Sequence, residues 1–299
     1  MWIEVFDIPY KITPYEFHLH GLCDLQIGSE STSIATIKTR IHEIISDPVD
    51  SGIIIPGDIE DEDRPSTRAI RRSAFSDRSE VPSRDAVKHR QWLDREVIPL
   101  LLPLQKKTRY GIMGILAGHH WTQLSAIQNS VQYMCQELTR LSGKKVNYLG
   151  EMISYIELRF VCGAKSHKKL GLVMHGEGGG QTKGSTIAKL ERAAQGFDGD
   201  FFIRGHDCQL LATKTDKLYP KEMRVDDSPR EMMSRTISYL NLGAATRGYE
   251  MGLDNSSYVE RGIMRPTTLG WGTIKFKLRR SYEWEDQNHN IRCVQRIEI

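Results

Sequence analysis

Several features that mark other classes of protein are scarce in this 299-residue sequence. It has only five cysteines, an odd number with no Cys-x-x-Cys pair, which argues against a disulfide framework and for free thiols in a reducing compartment. No apolar run approaches the roughly 20 residues that span a bilayer. Glu4 and Asp7 lie where a signal peptide needs basic and apolar residues. We therefore expect a cytoplasmic protein with no membrane partner.

The sequence also lacks a strong charge bias, an internal repeat and a low-complexity tract. Its formal net charge is +3, spread over many ions of both signs, so bulk charge does not argue for a nucleic-acid binder. A local basic groove remains compatible with that total. No helix-turn-helix or zinc-finger spacing is present. The length and ordinary composition suit one large globular domain.

The patterns that are present predict a mixed α/β chain. Residues 17–22 alternate as in a strand, residues 33–46 place isoleucines at helical spacing, and residues 52–56 form an apolar, β-branched run typical of a buried parallel strand. This is a βαβ unit, whose crossover is almost always right-handed. Further helices are predicted at 92–106, 125–141 and 186–194. Further strands are predicted at 110–117, 145–149, 153–162, 169–174, 201–204, 209–214 and 272–278.

Five short polar clusters each follow an apolar or strand-like run. They are Asp24-Leu25-Gln26, Gly57-Asp58-Ile59-Glu60-Asp61, Gly118-His119-His120-Trp121, His175-Gly176 and Gly205-His206-Asp207-Cys208. Open-sheet proteins gather functional side chains at strand ends, so the series predicts one site. Its oxygen and nitrogen donors suit Mn²⁺, Fe, Zn²⁺ or Ni²⁺. The simplest scheme has two ions about 3.5–4 Å apart, bridged by Asp58, which activate a water molecule for attack on phosphorus.

The order of the clusters resembles the calcineurin-like metallophosphoesterase family, in its phage and bacterial type related to DNA-repair exonucleases. The family pattern is Asp-x-His, Gly-Asp-x-x-Asp, Gly-Asn-His-Asp/Glu, His and Gly-His-x-His. The matching segments here are Cys23-Asp24-Leu25-Gln26-Ile27-Gly28-Ser29, residues 56–61, Gly118-His119-His120-Trp121, Val173-Met174-His175-Gly176 and residues 204–208. They cover residues 24–208, and residues 255–276 resemble the C-terminal part of phage and bacterial members.

The resemblance implies a fold, a reaction and a set of site residues. The fold is a four-layer αββα sandwich of two mixed sheets, formed by residues 1–299 as one domain, with a charged, helical excursion at 64–107 and a strand-rich part at 209–299 completing the second sheet. The reaction is hydrolysis of a phosphomonoester or phosphodiester, with a nucleotide or nucleic acid as candidate substrate. The implied residues are Asp24 and Asp58 for a first metal ion, Asp58, His119, His175 and His206 for a second, and His120 for the phosphate and leaving group.

The sequence departs from the family pattern at the first metal site. Gln26 and Cys208 occupy the two positions where the family has histidines. A glutamine carbonyl is a weaker donor than imidazole, and a thiolate favours Zn²⁺ or Fe over Mn²⁺. We therefore expect the first site to be weak, altered in metal or empty. Trp121 replaces the family acid beside His120, so another group must orient that ring.

Alternatives stay open on the residues alone. His18 and His20 share a strand face at metal-ligand spacing and rival Asp24 for the first site, although such pairs are more often structural. Cys208 is as readily a buried structural thiol as a ligand. The altered motifs also suit a catalytically degenerate binding or scaffold protein, or a mononuclear hydrolase.

Residues 64–90 are rich in arginine and poor in large apolar side chains. Such a run is usually a solvated face. Its position directly after Asp58 and Asp61 makes Arg64 and Arg68 candidates for contact with substrate phosphate.

Overall fold

The computed structural model describes residues 3–29, 31–61, 83–177, 182–220, 232–249, 266–280 and 291–298. Arg64, Arg68 and residues 255–265 therefore lie outside the described residues. The strands within these ranges are β1 Ile3–Pro9, β2 Tyr15–Gly21, β3 Asp50–Ile55, β4 Gly111–Leu116, β5 Gln123–Ser125, β6 Gln128–Asn129, β7 Asn147–Gly150, β8 Ile153–Cys162, β9 Lys165–Met174, β10 Phe201–Arg204, β11 Leu211–Pro220, β12 Met232–Asn241, β13 Thr273–Arg280 and β14 Ile291–Glu298. The helices are α1 Ile34–Ser46, α2 Ser83–Trp92, α3 Ile98–Lys107, α4 Ser130–Ser142 and α5 Lys183–Gly196, with a π-helical turn Leu93–Val97 between α2 and α3.

Twelve of these strands form two six-stranded mixed sheets. Sheet 1 has the order β1-β8-β9-β10-β12-β11, and sheet 2 has the order β14-β13-β2-β3-β4-β7. In sheet 2, β2, β3, β4 and β7 run parallel, whereas β13 and β14 are antiparallel to their neighbours. The C-terminal strands join both sheets, since β11 and β12 belong to sheet 1 and β13 and β14 to sheet 2.

The two sheets pack face to face, with helices on their outer faces. Phe17 of β2, Phe160 of β8, Phe201 of β10 and Phe276 of β13 meet between the sheets, with ring centroids 5.5–6.3 Å apart. Helices α3 and α4 lie against β4 on the far side of sheet 2, and α5 lies against β10 on the far side of sheet 1. The predicted four-layer αββα sandwich is confirmed. Within the described part of the chain, no helix is long and apolar enough to cross a bilayer.

The first βαβ unit forms as the sequence predicts. Ser33 caps α1 by accepting a hydrogen bond from the Thr36 amide at 3.4 Å, and Ile37, Ile41 and Ile44 form the buried face of the helix. Strand β3 is buried along nearly its whole length because its β-branched residues face both a helix layer and the other sheet. Strands β2 and β3 pair in parallel, as predicted.

Some predicted boundaries are wrong. The helix predicted at 125–141 begins only at Ser130, because the residues before it form the β5–β6 hairpin and Asn129 closes a capping box with Gln132. The helix predicted at 92–106 is interrupted by the π-helical turn before α3 begins. The strand predicted at 209–214 begins at Leu211 and runs to Pro220.

Candidate metal centre

The five polar clusters lie in loops that leave the carboxyl ends of β2, β3, β4, β9 and β10. Backbone hydrogen bonds join three of these loops to one another. The Asp24 backbone amide donates to the Gly57 carbonyl at 3.2 Å, and the Asp58 amide donates to the Ala117 carbonyl at 3.2 Å. The Gln26 amide donates to the backbone carbonyl of Asp58 at 3.0 Å. The predicted assembly of one site from several strand ends is therefore present, across the common edge of both sheets.

The backbone of these loops is strained at the predicted site residues. In the described ranges, five residues other than glycine have φ in the left-handed region, and all five are candidate metal ligands of the sequence motifs. They are Asp24 (50°), Gln26 (43°), Asp58 (54°), His206 (77°) and Cys208 (51°). Such conformations cost on the order of 1–3 kcal/mol each and persist where the surrounding structure fixes a functional geometry.

Four of the predicted ligands converge. Asp58, His119, His175 and His206 each offer one donor atom, and these atoms all lie within 4.8 Å of one another. The three imidazoles contact each other, with ring centroids 4.6–5.1 Å apart. The structure thus brings together the complete set that the sequence assigned to the second metal ion.

Asp58 is held by the loop that follows β4. Its Oδ1 accepts the backbone amides of His119 at 2.6 Å and His120 at 2.9 Å, which leaves Oδ2 directed at the imidazoles. Burial opposes ionisation of this carboxyl, but His175 and His120 outweigh burial and lower its pKa. Asp58 is therefore an ionised carboxylate with one oxygen turned toward the cluster.

His175 presents a buried donor atom that has no hydrogen bond among the described residues. Its Nδ1 lies 2.8 Å from the Pro56 carbonyl, to which it donates, and its Nε2 lies 3.0 Å from Asp58 Oδ2 but out of line for a hydrogen bond. Burial alone would lower the pKa of His175, but Asp58 and Asp24 raise it to about 9. Donation from Nδ1 to a carbonyl is the arrangement that orients a metal-binding histidine.

His206 and His119 complete the group. Their Nδ1 atoms lie 3.2 Å apart, and the His206 amide donates to Asp24 Oδ2 at 2.9 Å. Burial, together with the nearby His175 and His119, lowers the pKa of His206 to about 3. At neutral pH its imidazole is therefore uncharged, as a metal ligand must be.

His120 lies beside this group and is oriented by an acid. Its Nδ1 lies 3.0 Å from Asp61 Oδ1, and its Nε2 lies 3.8 Å from Asp58 Oδ2. Trp121, which follows His120 where the motif that the sequence resembles has an acid, packs against the core. The orienting group is therefore Asp61, the last residue of the Gly57–Asp61 cluster, a role that no local sequence pattern indicates.

The residues predicted for the first ion are less well assembled. Asp24 is grouped with Cys23 and His175 rather than with the four converging donors, and burial raises its pKa. The Cys208 thiol hydrogen-bonds to the His206 carbonyl at 3.6 Å and is in none of the donor groups. Gln26 is buried directly after the Asp24 turn. His18 and His20 lie with Asp47, in a separate donor group.

Two buried networks near the site were not recognised in the sequence. Glu60 binds His89 at 2.9 Å, the Thr122 amide at 3.1 Å and the Ser130 hydroxyl, and so ties α2 and α4 to the β3 loop. Arg204 forms a buried, two-pronged ion pair with Asp207. Acids adjacent to the predicted ligands were the available signal. The partners of Glu60 are distant in sequence, whereas Arg204 lies only three residues before Asp207.

The converging residues fit a divalent metal ion. Three imidazoles and one carboxylate are a donor set typical of Zn²⁺, Fe or Mn²⁺ sites. The hydrogen bonds at the outer atoms of Asp58 and His175 fix both side chains in the orientation that ligation requires. The buried Nε2 of His175 faces Asp58 Oδ2 at 3.0 Å, so both ligand atoms point to the place where a bound cation would lie.

Comparison with known proteins gives only distant likenesses. No protein-family model matches the chain, and no curated protein matches it. A conserved uncharacterized protein and predicted phosphoesterase from Streptococcus pneumoniae shares 11% identity, with 94% of this chain and 98% of that chain covered, at a TM-score of 0.31. A double mutant of Vps29 from Entamoeba histolytica shares 10% identity, with 94% and 99% covered, at 0.32.

GAP50 of Plasmodium, described as the anchor in the inner membrane complex, shares 11% identity, with 94% of this chain and 88% of that chain covered, at a TM-score of 0.39. Likenesses at this level carry no argument about function.

Proposed function

We propose that this protein is a metal-dependent phosphoesterase that hydrolyses a phosphomonoester or phosphodiester. The observation that carries the proposal is the position of His120, an imidazole oriented by Asp61, beside four converging metal donors. A proton donor next to a metal site is the pairing that phosphoester hydrolysis needs, because the leaving oxygen must be neutralised as it departs. The motif order of the calcineurin-like metallophosphoesterases supports the same reaction.

Each residue has a distinct part in this proposal. Asp58, His119, His175 and His206 would hold a divalent ion, which when bound supplies Lewis-acid polarisation of a phosphoryl oxygen and lowers the pKa of a water molecule to near neutral. His120 donates a proton from Nε2 to the leaving oxygen, while its Nδ1 donates to Asp61. The amides of His119 and His120 hold Asp58 in place throughout.

Hydrolysis of p-nitrophenyl and bis-p-nitrophenyl phosphate tests the proposal. The protein is stripped with EDTA, reloaded separately with Mn²⁺, Zn²⁺, Fe²⁺ or Ni²⁺, and assayed on both esters. We expect turnover with at least one metal, and a loss of about 10²–10⁴-fold in kcat in His120→Gln. His42→Gln is the matched control, because His42 is an exposed histidine on α1. Nucleotides and single-stranded DNA are assayed next, since the C-terminal resemblance favours them.

The outcomes separate the competing functions. No turnover with any metal, together with an unaltered background rate in His120→Gln, would refute the proposal that the protein is an enzyme. A metal-binding or scaffold protein would then be the remaining function. Turnover with one ion at the Asp58 cluster supports a mononuclear hydrolase, and turnover with two ions at that cluster supports the dinuclear scheme, with anomalous scattering to count the ions there.

A cysteine variant tests whether Cys208 holds an ion. The ion held by His175 should be lost in His175→Gln and kept in Cys208→Ser, because the Cys208 thiol lies outside the converging donors. Loss of an ion from Cys208→Ser, measured by metal analysis, would make Cys208 a ligand, as its place in the motif predicts.

A further inference from the structure

A second group of donors lies on the other face of β2 from the inter-sheet core. Phe17 and Leu19 point from this strand into the core, so the alternating His18 and His20 point toward the helix layer. Asp47, the residue that ends α1, meets them there. One donor atom from each of His18, His20 and Asp47 lies within 4.8 Å of the others.

Each of these three side chains is fixed by an outer partner at the atom that does not face the cluster. His18 Nε2 lies 3.0 Å from Glu16 Oε1, His20 Nδ1 lies 2.8 Å from Thr273 Oγ1, and Asp47 Oδ1 accepts the Val49 amide at 2.9 Å. Metal-binding histidines typically have this arrangement, in which a carboxylate or another polar group holds the outer nitrogen and so sets the tautomer and ring orientation.

Of the three atoms that face one another in this group, not all have a hydrogen-bond partner. His18 Nδ1 lies 2.5 Å from Asp47 Oδ2, but His20 Nε2, which lies 3.5 Å from the same oxygen, makes no hydrogen bond among the described residues. His20 is 4% exposed, and a buried ring nitrogen without a partner needs an explanation. When Nδ1 donates to Thr273, Nε2 carries a lone pair aimed at the cluster.

We propose that His18, His20 and Asp47 form a second divalent-metal site, selective for Zn²⁺ or a similar transition metal and separate from the Asp58 centre. Two imidazoles and a carboxylate, with a water molecule as fourth ligand, are a common zinc set. Ligand distances of about 2.0–2.1 Å in a tetrahedral site imply about 3.3 Å between ligand atoms. The His20–Asp47 separation is already close to this spacing, and the His18–Asp47 pair must open by less than an ångström.

Charged side chains around His18, His20 and Asp47 limit the affinity of this site for a metal ion. Arg40 donates to Thr273 Oγ1 at 2.9 Å, Lys275 lies on the neighbouring strand, and Lys277 Nζ lies 3.0 Å from Glu16 Oε2, so three cations oppose a bound ion. Asp47, Glu16 and Glu298, the partner of Lys275, supply three negative charges against them. The competing explanation is that His18 and Asp47 only fasten the end of α1 to β2. That role accounts for their hydrogen bond and gives no reason for the unpartnered His20 Nε2.

Anomalous scattering from crystals of the unaltered protein equilibrated with Zn²⁺ tests the site without any substitution. We expect a zinc peak between His18, His20 and Asp47 in addition to any peak at His175. A peak at His175 with none at His20, or no peak at either, would overturn the proposal.

Metal analysis in solution provides an independent measurement. After equilibration with Zn²⁺ and removal of unbound ion, His20→Gln and Asp47→Asn should each hold one zinc fewer per chain than the unaltered protein, and His42→Gln should hold the same number. Phosphoesterase activity is measured on the same samples, since loss of this zinc should leave it unchanged. Equal zinc in folded His20→Gln and unaltered protein would refute the site.

Discussion

Nδ1 of His120 lies 3.0 Å from Oδ1 of Asp61, although the two residues belong to different loops. Asp58, three residues before Asp61, accepts the backbone amide of His120 at 2.9 Å. One short segment after β3 therefore fixes both the backbone and the ring of the proposed proton donor. The side chains of His120 and Asp61 are each 27% exposed, so substrate can reach them.

Removing the carboxylate should weaken turnover without abolishing it. In Asp61→Asn the amide still contacts His120 but no longer holds the proton on Nδ1, so we expect kcat to fall about tenfold to a hundredfold, the range for groups that orient a functional histidine. The double variant Asp61→Asn/His120→Gln should be no slower than His120→Gln alone. Steady-state kinetics on bis-p-nitrophenyl phosphate measures both. Independent, additive losses would show that Asp61 acts on substrate by itself.

The stability of the metal-free protein should fall as pH rises toward 9. The pKa of folded His175 is raised to about 9, above its unfolded value near 6.5, so its contribution is complete below about pH 6.5 and is lost as pH rises through about 9. The lowered pKa of Asp58 keeps that residue ionised across this window. The shift corresponds to a loss on the order of 3 kcal/mol in free energy of unfolding.

Urea denaturation of EDTA-treated protein at several pH values provides the test. Burial raises the pKa of Cys135, which also reduces stability at alkaline pH in both the reference protein and the His175→Gln variant. Burial also raises the pKa of Cys23, whose Sγ lies 3.9 Å from His175 Nδ1, so both proteins carry Cys23→Ala. The difference between Cys23→Ala and Cys23→Ala/His175→Gln therefore isolates the histidine. Parallel stability curves for the two proteins between pH 6.5 and 9 would contradict the expected pairing with Asp58.

Local sequence patterns predict those strands and helices that have one buried face or that consist of one short apolar run. Strands β8 and β10 have the predicted bounds, because clear alternation or a short apolar run was present. Strands β1, β12 and β14 were missed. Strand β1 pairs only with β8 at a sheet edge and leaves Ile3 and Val5 exposed, so its pattern does not mark a buried face.

In the candidate site, too, local patterns predict some features and miss those that depend on contacts between distant loops. The motif order located the converging donors, since each follows a recognisable strand. The Asp61–His120 contact joins residues 59 positions apart in different loops, and no local pattern encodes such a contact. The departures at Gln26 and Cys208 were visible in sequence, but their left-handed backbone was not, because neither residue type requires it.

The Arg204–Asp207 ion pair should be essential for stability. Arg204 is 2% exposed, and Asp207→Ala would leave its charge buried with Asn241, at 3.2 Å, as its remaining side-chain partner among the described residues, at a cost of about 3–5 kcal/mol. Lys189→Ala removes the other cation that contacts Asp207, at 3.2 Å, and should cost less than about 1 kcal/mol because Lys189 is partly exposed. Urea denaturation of both variants compares them. Similar small losses would mean that Arg204 finds water when Asp207 is removed.

A pair of glycine substitutions separates backbone strain from damage to the site. Gly118 and Gly143 have nearly equal φ, 75° and 74°, so alanine carries the same backbone penalty of about 1–2 kcal/mol at either position. Around Gly143 nothing lies within 4 Å of an added Cβ, whereas at Gly118 that atom would lie 2.3 Å from Asp58 Oδ1. Gly118→Ala must therefore push the Asp58 carboxylate away from the amides that hold it.

We expect Gly143→Ala to lose only the backbone penalty and to bind metal normally. Gly118→Ala should lose more stability and bind its ion at least about tenfold more weakly, since displaced outer hydrogen bonds of a ligand typically cost this much. Urea denaturation gives the first quantity and competition with a chromophoric chelator the second. Normal ion affinity in Gly118→Ala would show that Asp58 reaches the ion without the amides of His119 and His120. The close approach of Gly118 to Asp58 would then serve packing alone.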